Sequence, residues 1–373
     1  MSGILFYNSY DIFNNPYNKN NLKNIPGGSA FSSFFQIFSQ NITAVDRSGV
    51  ITTPLNVKVP EYLKLIEYKK FDKDFTSICD DRAKYLLELA ESKNKKIAVM
   101  YSGGVDSTLV LCSLLKNATE KQLKLVIVLL SDESIMENEN FYRDFIIKKF
   151  NCMSSYRFPY ILGNDDYIFT SGENADQLFG SQVNSHFTQN NPVESLFKNI
   201  NEVEERILDF FRDRLREENK RYAEPILDLF YKSVAAAPIE LNNVYKFFWW
   251  INFTTKWQNV YVRMFPYSTN IKGIKPEQNY NTFFNNEEFQ LWSMNNVDKF
   301  ASDVDRCGKI VPKQYILDVN GDRSYLNKPK IGSLAHIVKR KEVVYTVSDS
   351  MEISNDYPTR DLYNYDNDFE KMK

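Results

Sequence analysis

The stretch KKIAVMYSGGVDSTLVLCSLL, residues 95–115, limits what this chain can fold into more than any other. Two lysines precede the apolar run Ile97, Ala98, Val99 and Met100, which predicts a short strand covered on both faces. Ser102, Gly103 and Gly104 follow at once. Adjacent glycines let the backbone turn sharply and present bare N–H groups to an anion. From Ser107 the pattern becomes helical, with Leu109, Val110, Leu114 and Leu115 on one face. The turn therefore sits at a helix N-terminus, where unpaired N–H groups and the helix dipole favour a phosphate.

The Walker pattern GxxxxGK[ST] is absent. Ser102-Gly103-Gly104-Val105-Asp106-Ser107 instead resembles the SGGxDS loop of the ATP pyrophosphatases, which split ATP between its α and β phosphates. A Ser/Asp cap on an ordinary strand–turn–helix is the bland alternative. A full match in a strand–helix context favours the nucleotide.

Around this stretch the pattern alternates. Apolar positions at helical spacing predict a helix over 71–92. A second buried strand is expected at Lys124–Leu130, ended by Ser131, Asp132 and Glu133, then a helix at Glu139–Phe150. Further strands are expected near Tyr156–Pro159 and Tyr167–Thr170. Such βαβ units imply an α/β fold with an open, doubly wound parallel sheet. Ligands of such sheets bind beyond the carboxyl ends of the strands.

Before residue 70 short strands are expected at Gly3–Tyr7, Phe34–Phe38 and Val50–Val59. After Pro192 the chain reads as helical, over Leu196–Leu215, Pro225–Ala236 and Leu241–Val260, with Trp249, Trp250 and Trp257 as core residues. Pro266–Pro276 reads as a loop and Asn285–Met294 as a short helix. The charged residues of 202–214 read as a solvated helix face, and His186 and His336 as surface histidines. The expected division is a small β-rich extension of unknown role (1–70), a nucleotide domain with a largely helical later part (71–335) and a tail (336–373).

Composition removes several function classes. A net charge of −2 leaves no electrostatic footprint for nucleic acid or an anionic membrane. No apolar run has the length of a membrane span, and no basic-then-apolar leader begins the chain. The four cysteines, Cys79, Cys112, Cys152 and Cys307, form no CxxC pair, and Cys112 reads as a small core residue. A reducing, cytoplasmic setting is expected.

A second motif runs Thr170-Ser171-Gly172-Glu173-Asn174-Ala175-Asp176-Gln177-Leu178-Phe179-Gly180. Read from its residues, a strand ends in a glycine turn, and Glu173 and Asp176, three apart, share one side of a first helical turn. One can hold magnesium on phosphates while the other faces an amine. An acid-rich helix start is the bland alternative. Beside the first motif, the segment resembles the SGEGxDExFGG motif of asparagine synthetases and their β-lactam synthetase relatives. The resemblance covers roughly residues 70–335 and is strong only at these two motifs. Two positions depart from it: Asn174 replaces a glycine and Gln177 a glutamate.

This resemblance implies an ATP pyrophosphatase-type fold and a ligase that forms AMP and pyrophosphate. A carboxylate, aspartate by default, is adenylated by ATP with Mg²⁺ and then attacked by ammonia or another amine. Ser102, Gly103, Gly104 and Ser107 are implied for the pyrophosphate, with Gly172 beside the nucleotide. Asp106 and Asp176 are implied for Mg²⁺. Leu129, Leu130 and Ser131 are implied for adenine, and Glu173 for the incoming amine. Pro312-Lys313-Gln314-Tyr315 resembles the segment carrying the family's catalytic lysine, which assigns that role to Lys313, with an exposed surface lysine as the alternative. The family's glutamine-dependent members begin with a nucleophilic cysteine. Here Ser2 stands there and none of the first 78 residues is cysteine, so ammonia is expected free or from a separate glutaminase subunit. The leader reads equally as a remnant of a glutaminase fold, a homodimer surface or a partner dock. The competing functions are lactam or macrolactam closure or another amidation, base modification on nucleic acid, and a non-catalytic nucleotide-binding scaffold.

Overall fold

The computed structural model describes residues 30, 33, 37, 46–51, 63–262, 264, 276–301, 309–327, 345–347 and 353–355. The strand expected at Gly3–Tyr7, most of Val50–Val59, nearly all of the loop Pro266–Pro276, His336 and Cys307 lie outside them. The chain forms two compact units. One comprises Met1–Phe71, Asp176–Arg263 and Gln290–Gly308; the other Asp72–Ala175, Met264–Phe289 and Lys309–Lys373. Neither is one continuous run, because each gathers its core from distant segments.

The second of these, the sheet unit, opens with α1 (Phe75–Ser92). The helix starts at Phe75 rather than Phe71 because Asp74 caps it, accepting from the Ser77 amide at 2.9 Å. Then come β1 (Lys96–Met100), α2 (Val105–Asn117), β2 (Val126–Leu130) and α3 (Asp132–Glu137). A helical run with a π turn at Tyr142–Ile146 leads to β3 (Asn151–Ser154), and β4 is Tyr167–Ser171. The third strand thus lies earlier than Tyr156–Pro159. That stretch is a 3₁₀ turn passing into the helix Phe158–Leu162, whose first turn accommodates Pro159 because no N–H is needed there.

All four strands are parallel, in the order β3-β2-β1-β4. The unit is α/β, as expected. Val99 pairs with both Val128 and Thr170, so β1 is flanked on either side and its four residues Ile97–Met100 are buried. The chain steps outward from β1 to β2 to β3, then returns to lay β4 on the other side of β1. In sheets of this kind such a reversal, here between the loops that follow β1 and β4, is where ligands bind. The outer side of β4 is covered by residues 280–283: Asn281 N–H donates to Phe169 O at 2.8 Å and Phe283 N–H to Ser171 O at 3.1 Å. The buried Arg82 guanidinium donates to Thr282 O and Phe283 O, and burial lowers its pKa to about 10.

The other unit is helical and aromatic. It holds α4 (Ser181–Phe187), α5 (Glu204–Arg214), α6 (Ala223–Ala235) and α7 (Val244–Ile251), which runs through a π turn (Asn252–Lys256) into Trp257–Val262. The helix expected from Leu196 begins only at Glu204, after 3₁₀ turns led by Pro192 and Asn199. The short helix expected at Asn285–Met294 extends over Glu287–Ala301. Trp249, Trp250 and Trp257 are fully buried core residues. Their neighbours satisfy the polar edges: Trp249 Nε1–H donates to Leu178 O at 2.9 Å and Trp250 Nε1–H to Ser233 O at 3.0 Å. Ile37 is helical, not part of a strand at Phe34–Phe38; with Ala30 and Ser33 it forms a buried set at helical spacing.

The chain returns to the sheet unit through α8 (Ile310–Asn320), which packs on α2, as α1 does. No described helix is long and apolar enough to cross a membrane.

Candidate functional site

The site is built on the loop between β1 and α2. Gly103 has φ +74°, a conformation only glycine adopts without strain, and a Cβ there would stand 2.5 Å from Ser134 O and from Glu137 Cβ. Both the turn and the close approach of α3 therefore require glycine. Hydroxyls hold the loop's shape. Ser107 Oγ accepts from the Ser102 amide at 3.1 Å, meets Ser102 Oγ at 3.0 Å and donates to Gly104 O at 3.2 Å. Gly104 N–H finds only a long contact, 3.3 Å to Ser102 Oγ, and Gly104 caps α2 without any side-chain partner. The first N–H groups of α2 thus lack a side-chain cap from Gly104, the condition under which a helix N-terminus accepts an anion.

The second motif reaches this loop through Gly172. A Cβ on Gly172 would come within 2.9 Å of Asp106 Cβ, Asp106 C and Ser107 N. The absence of a side chain is what lets the turn after β4 lie against the first turn of α2. Asn174 then takes φ +73°. Asparagine is the residue other than glycine that most readily enters this region. Asn174 thus suits a left-handed position where the motif it resembles has glycine, and its Oδ1 also accepts from Thr282 Oγ1 at 3.3 Å.

That left-handed residue corrects one expectation. Glu173 precedes the short helix Ala175–Phe179, so Glu173 and Asp176 do not share a helical turn; Asn174 breaks the phase between them. Glu173 stays with the sheet unit, its amide donating to Ser171 Oγ at 3.3 Å, whereas Asp176 begins the aromatic unit. There Asn252 Nδ2 donates to Asp176 O at 2.9 Å. Leu178 and Phe179 are fully buried and anchor the motif as expected. Gln177 is buried, and its Oε1 has no donor among the described residues. A glutamate there would bury a charge, so the neutral amide suits this core.

Leu129 and Leu130 lie fully covered in β2. Ser131 caps α3 reciprocally with Ser134: its Oγ accepts from the Ser134 amide and its N–H donates to Ser134 Oγ. Lys313 lies in the first turn of α8, half-buried.

Sequence reasoning missed Lys309, one helical turn before Lys313. Its ammonium is buried, with 6% exposure, and pairs with the Asp106 carboxylate in a short charge-assisted bond. Lys309 stands directly before α8, where the helix dipole disfavours a cation. The Asp106 partner offsets that cost. The segment resemblance pointed to this neighbourhood, but only packing selects which lysine of the turn faces the loop.

In the aromatic unit His186 is half-buried on α4 rather than a surface histidine. Burial, with the nearby charges of Arg214 and Lys256, lowers its pKa to about 4. Among the described residues no group of three or more His, Cys, Asp or Glu side chains is placed to hold a metal. Mg²⁺ on a nucleotide needs fewer, since phosphate oxygens and waters complete its octahedron. Asp106, with 24% of its side chain exposed at the loop, suits that use. No family model matches the chain, and no curated protein matches it.

Proposed function

We propose that the chain is an ATP-dependent amide synthetase that forms AMP and pyrophosphate, its sheet unit being an ATP pyrophosphatase-type nucleotide fold. The observation that carries this reading is the packing of Gly172 against Asp106 and Ser107, which joins the SGGVDS loop and the SGEN turn at the sheet's reversal point. A carboxylate oxygen attacks the α-phosphorus; the bond to the bridging oxygen breaks and pyrophosphate leaves with that electron pair. An amine then attacks the acyl carbon, AMP departs, and the amine gives up a proton. Adenylation is needed because an oxide is a poor leaving group.

The N–H groups of the loop at the head of α2 bind the leaving pyrophosphate, with Ser107 holding the loop's shape. Lys309, now on Asp106, would shift to the phosphate oxygens when the nucleotide enters, and Asp106 would then be the carboxylate that holds Mg²⁺. Bound Mg²⁺ supplies charge neutralisation on the phosphates. Glu173 orients or deprotonates the amine, and Lys313 is the second cation for the phosphate. Leu129, Leu130 and Ser131 mark the strand end for adenine. Aspartate is the default acid. Closure of a lactam or macrolactam is the alternative within the same chemistry, and the neutral Gln177 is the departure that leaves it open.

The test is product analysis of the full chain with ATP, Mg²⁺, ammonium and a panel of carboxylates beginning with aspartate. Carboxylate-dependent AMP and pyrophosphate, lost in Asp106→Asn, is the expected outcome. ADP and phosphate would overturn the mechanism, and ATP binding without turnover on any acid would favour a scaffold.

A further inference from the structure

One peptide of the loop, Gly103–Gly104, is held from its carbonyl side by two hydroxyls. In a trans peptide the C=O and the following N–H point to opposite sides. Fixing the Gly103 carbonyl therefore aims the Gly104 N–H. Gly103 O receives two hydroxyls: Thr108 Oγ1 at 3.3 Å, from one turn inside α2, and Tyr325 OH at 3.1 Å, from 222 residues away. Tyr325 OH also lies 3.3 Å from Thr108 Oγ1. The phenol has a single proton, so it serves one acceptor at a time, and the Thr108 proton closes the triangle on Gly103 O.

The chain places Tyr325 there by specific means. α8 packs along α2 and ends at Gly321, whose φ of +71° turns the chain back. Asp322 then caps the 3₁₀ turn Arg323–Asn327, accepting from the Ser324 amide at 2.9 Å, and Asn140 Nδ2 donates to its other oxygen at 3.2 Å. The result is a phenol with 6% exposure, and burial pushes its pKa up, so the proton needed for donation stays in place.

We infer that Tyr325 and Thr108 are positioning residues of the phosphate loop: they pin the Gly103 carbonyl and with it the Gly104 N–H, whose long contact to Ser102 Oγ at 3.3 Å the pyrophosphate moiety of a nucleotide would replace. The inference rests on the nucleotide reading of the loop. Neither side chain touches the ligand. Each removes a rotation that the two adjacent glycines would otherwise leave free, so the ordering is complete before the anion arrives.

The test is calorimetric binding of inorganic pyrophosphate and of ATP to the full chain, alongside its thermal denaturation. Tyr325→Phe keeps the ring and deletes only the proton donor; Thr108→Val deletes the second hydroxyl, and Thr108→Ser restores it. Each deletion is expected to weaken both ligands about three- to tenfold, the upper figure corresponding to ~1.4 kcal/mol, the net worth of one hydrogen bond. Thr108→Ser should bind like the parent. The control is Tyr315→Phe on α8, whose OH donates to Asp80 at 2.6 Å. It should lower the melting temperature as Tyr325→Phe does, without weakening pyrophosphate. Equal loss of affinity in Tyr315→Phe would reduce Tyr325 to a stabilising residue and overturn the inference. Unchanged affinity in Tyr325→Phe, with the parent binding normally, would overturn it while leaving the nucleotide reading intact. A parent that binds neither ligand would overturn both.

Discussion

In the sheet unit the loop at residues 102–107 is held by serine hydroxyls, two adjacent glycines and the Lys309–Asp106 pair, and the helix after it has no side-chain cap from Gly104. In the aromatic unit the α7 helix is held by rings: Phe253 stacks on Trp249 at 5.1 Å, Phe187 meets Phe248 at 5.2 Å, and each indole N–H is spent on a carbonyl. The first region keeps backbone polarity in reserve; the second satisfies its own internally. A region of the first kind suits an anion, and its residues contribute modestly to stability. A region of the second kind fixes where neighbouring segments lie, among them Leu178 and Phe179 of the second motif, and carries much of the unit's stability.

The contrast breaks if substitutions in the two regions act alike. The largest effect is expected from Trp249→Ala, which empties a fully buried site beside Gly180 and removes one of the two donors to Leu178 O, leaving only Ser293 Oγ there. It should cost about 3–5 kcal/mol in denaturant unfolding. A loss under about 1 kcal/mol would show that the aromatic unit is not the stability element.

Gly103→Ala is next. Its Cβ would meet backbone at 2.5 Å and its φ is left-handed, so the loop must deform. ATP affinity should fall about 100-fold, ~2.7 kcal/mol, while the unfolding midpoint moves far less than for Trp249→Ala. Tight ATP binding in this variant would remove the loop from the site.

Lys309→Met should weaken ATP about tenfold, since one buried cation near the phosphates is lost. Asp106 remains partly hydrated, so the stability cost should be small. A large stability loss with unchanged affinity would make the Lys309–Asp106 pair purely structural.

The smallest effect is a pH dependence in the aromatic unit. The folded pKa of His186, about 4, lies below the unfolded value near 6.5. The unfolded chain therefore binds the extra proton between these values, and stability should fall as pH drops from about 6.5 toward 4. With the side chain only half-buried, His186→Gln should flatten this slope by about 1 kcal/mol. Parallel curves for parent and variant would show that the imidazole remains hydrated.

Part of this was legible in residues alone. The run Ile97–Met100, the two glycines and the following helix required a strand–turn–helix, because a continuous apolar run and φ > 0 are properties of a few consecutive residues. The same local logic located β2 and β4, the buried tryptophans and the anchoring of Leu178 and Phe179. Pro159 was misread because aromatic residues before it look like a strand, while proline fits the first turn of a helix equally well. Asn174 looked like a chemical departure until its φ showed a conformational one.

What the sequence determined by itself is therefore the loop and the strands around it, where neighbours in the chain are neighbours in space. Only the tertiary structure decided that Lys309 rather than Lys313 meets Asp106, that Tyr325 fixes the Gly103 carbonyl, and that Gly172 lies against α2. The physical reason is distance along the chain. A contact between residues 106 and 309 depends on how α8 packs on α2, and a shift of one helical turn would exchange one lysine for the other without altering any local pattern.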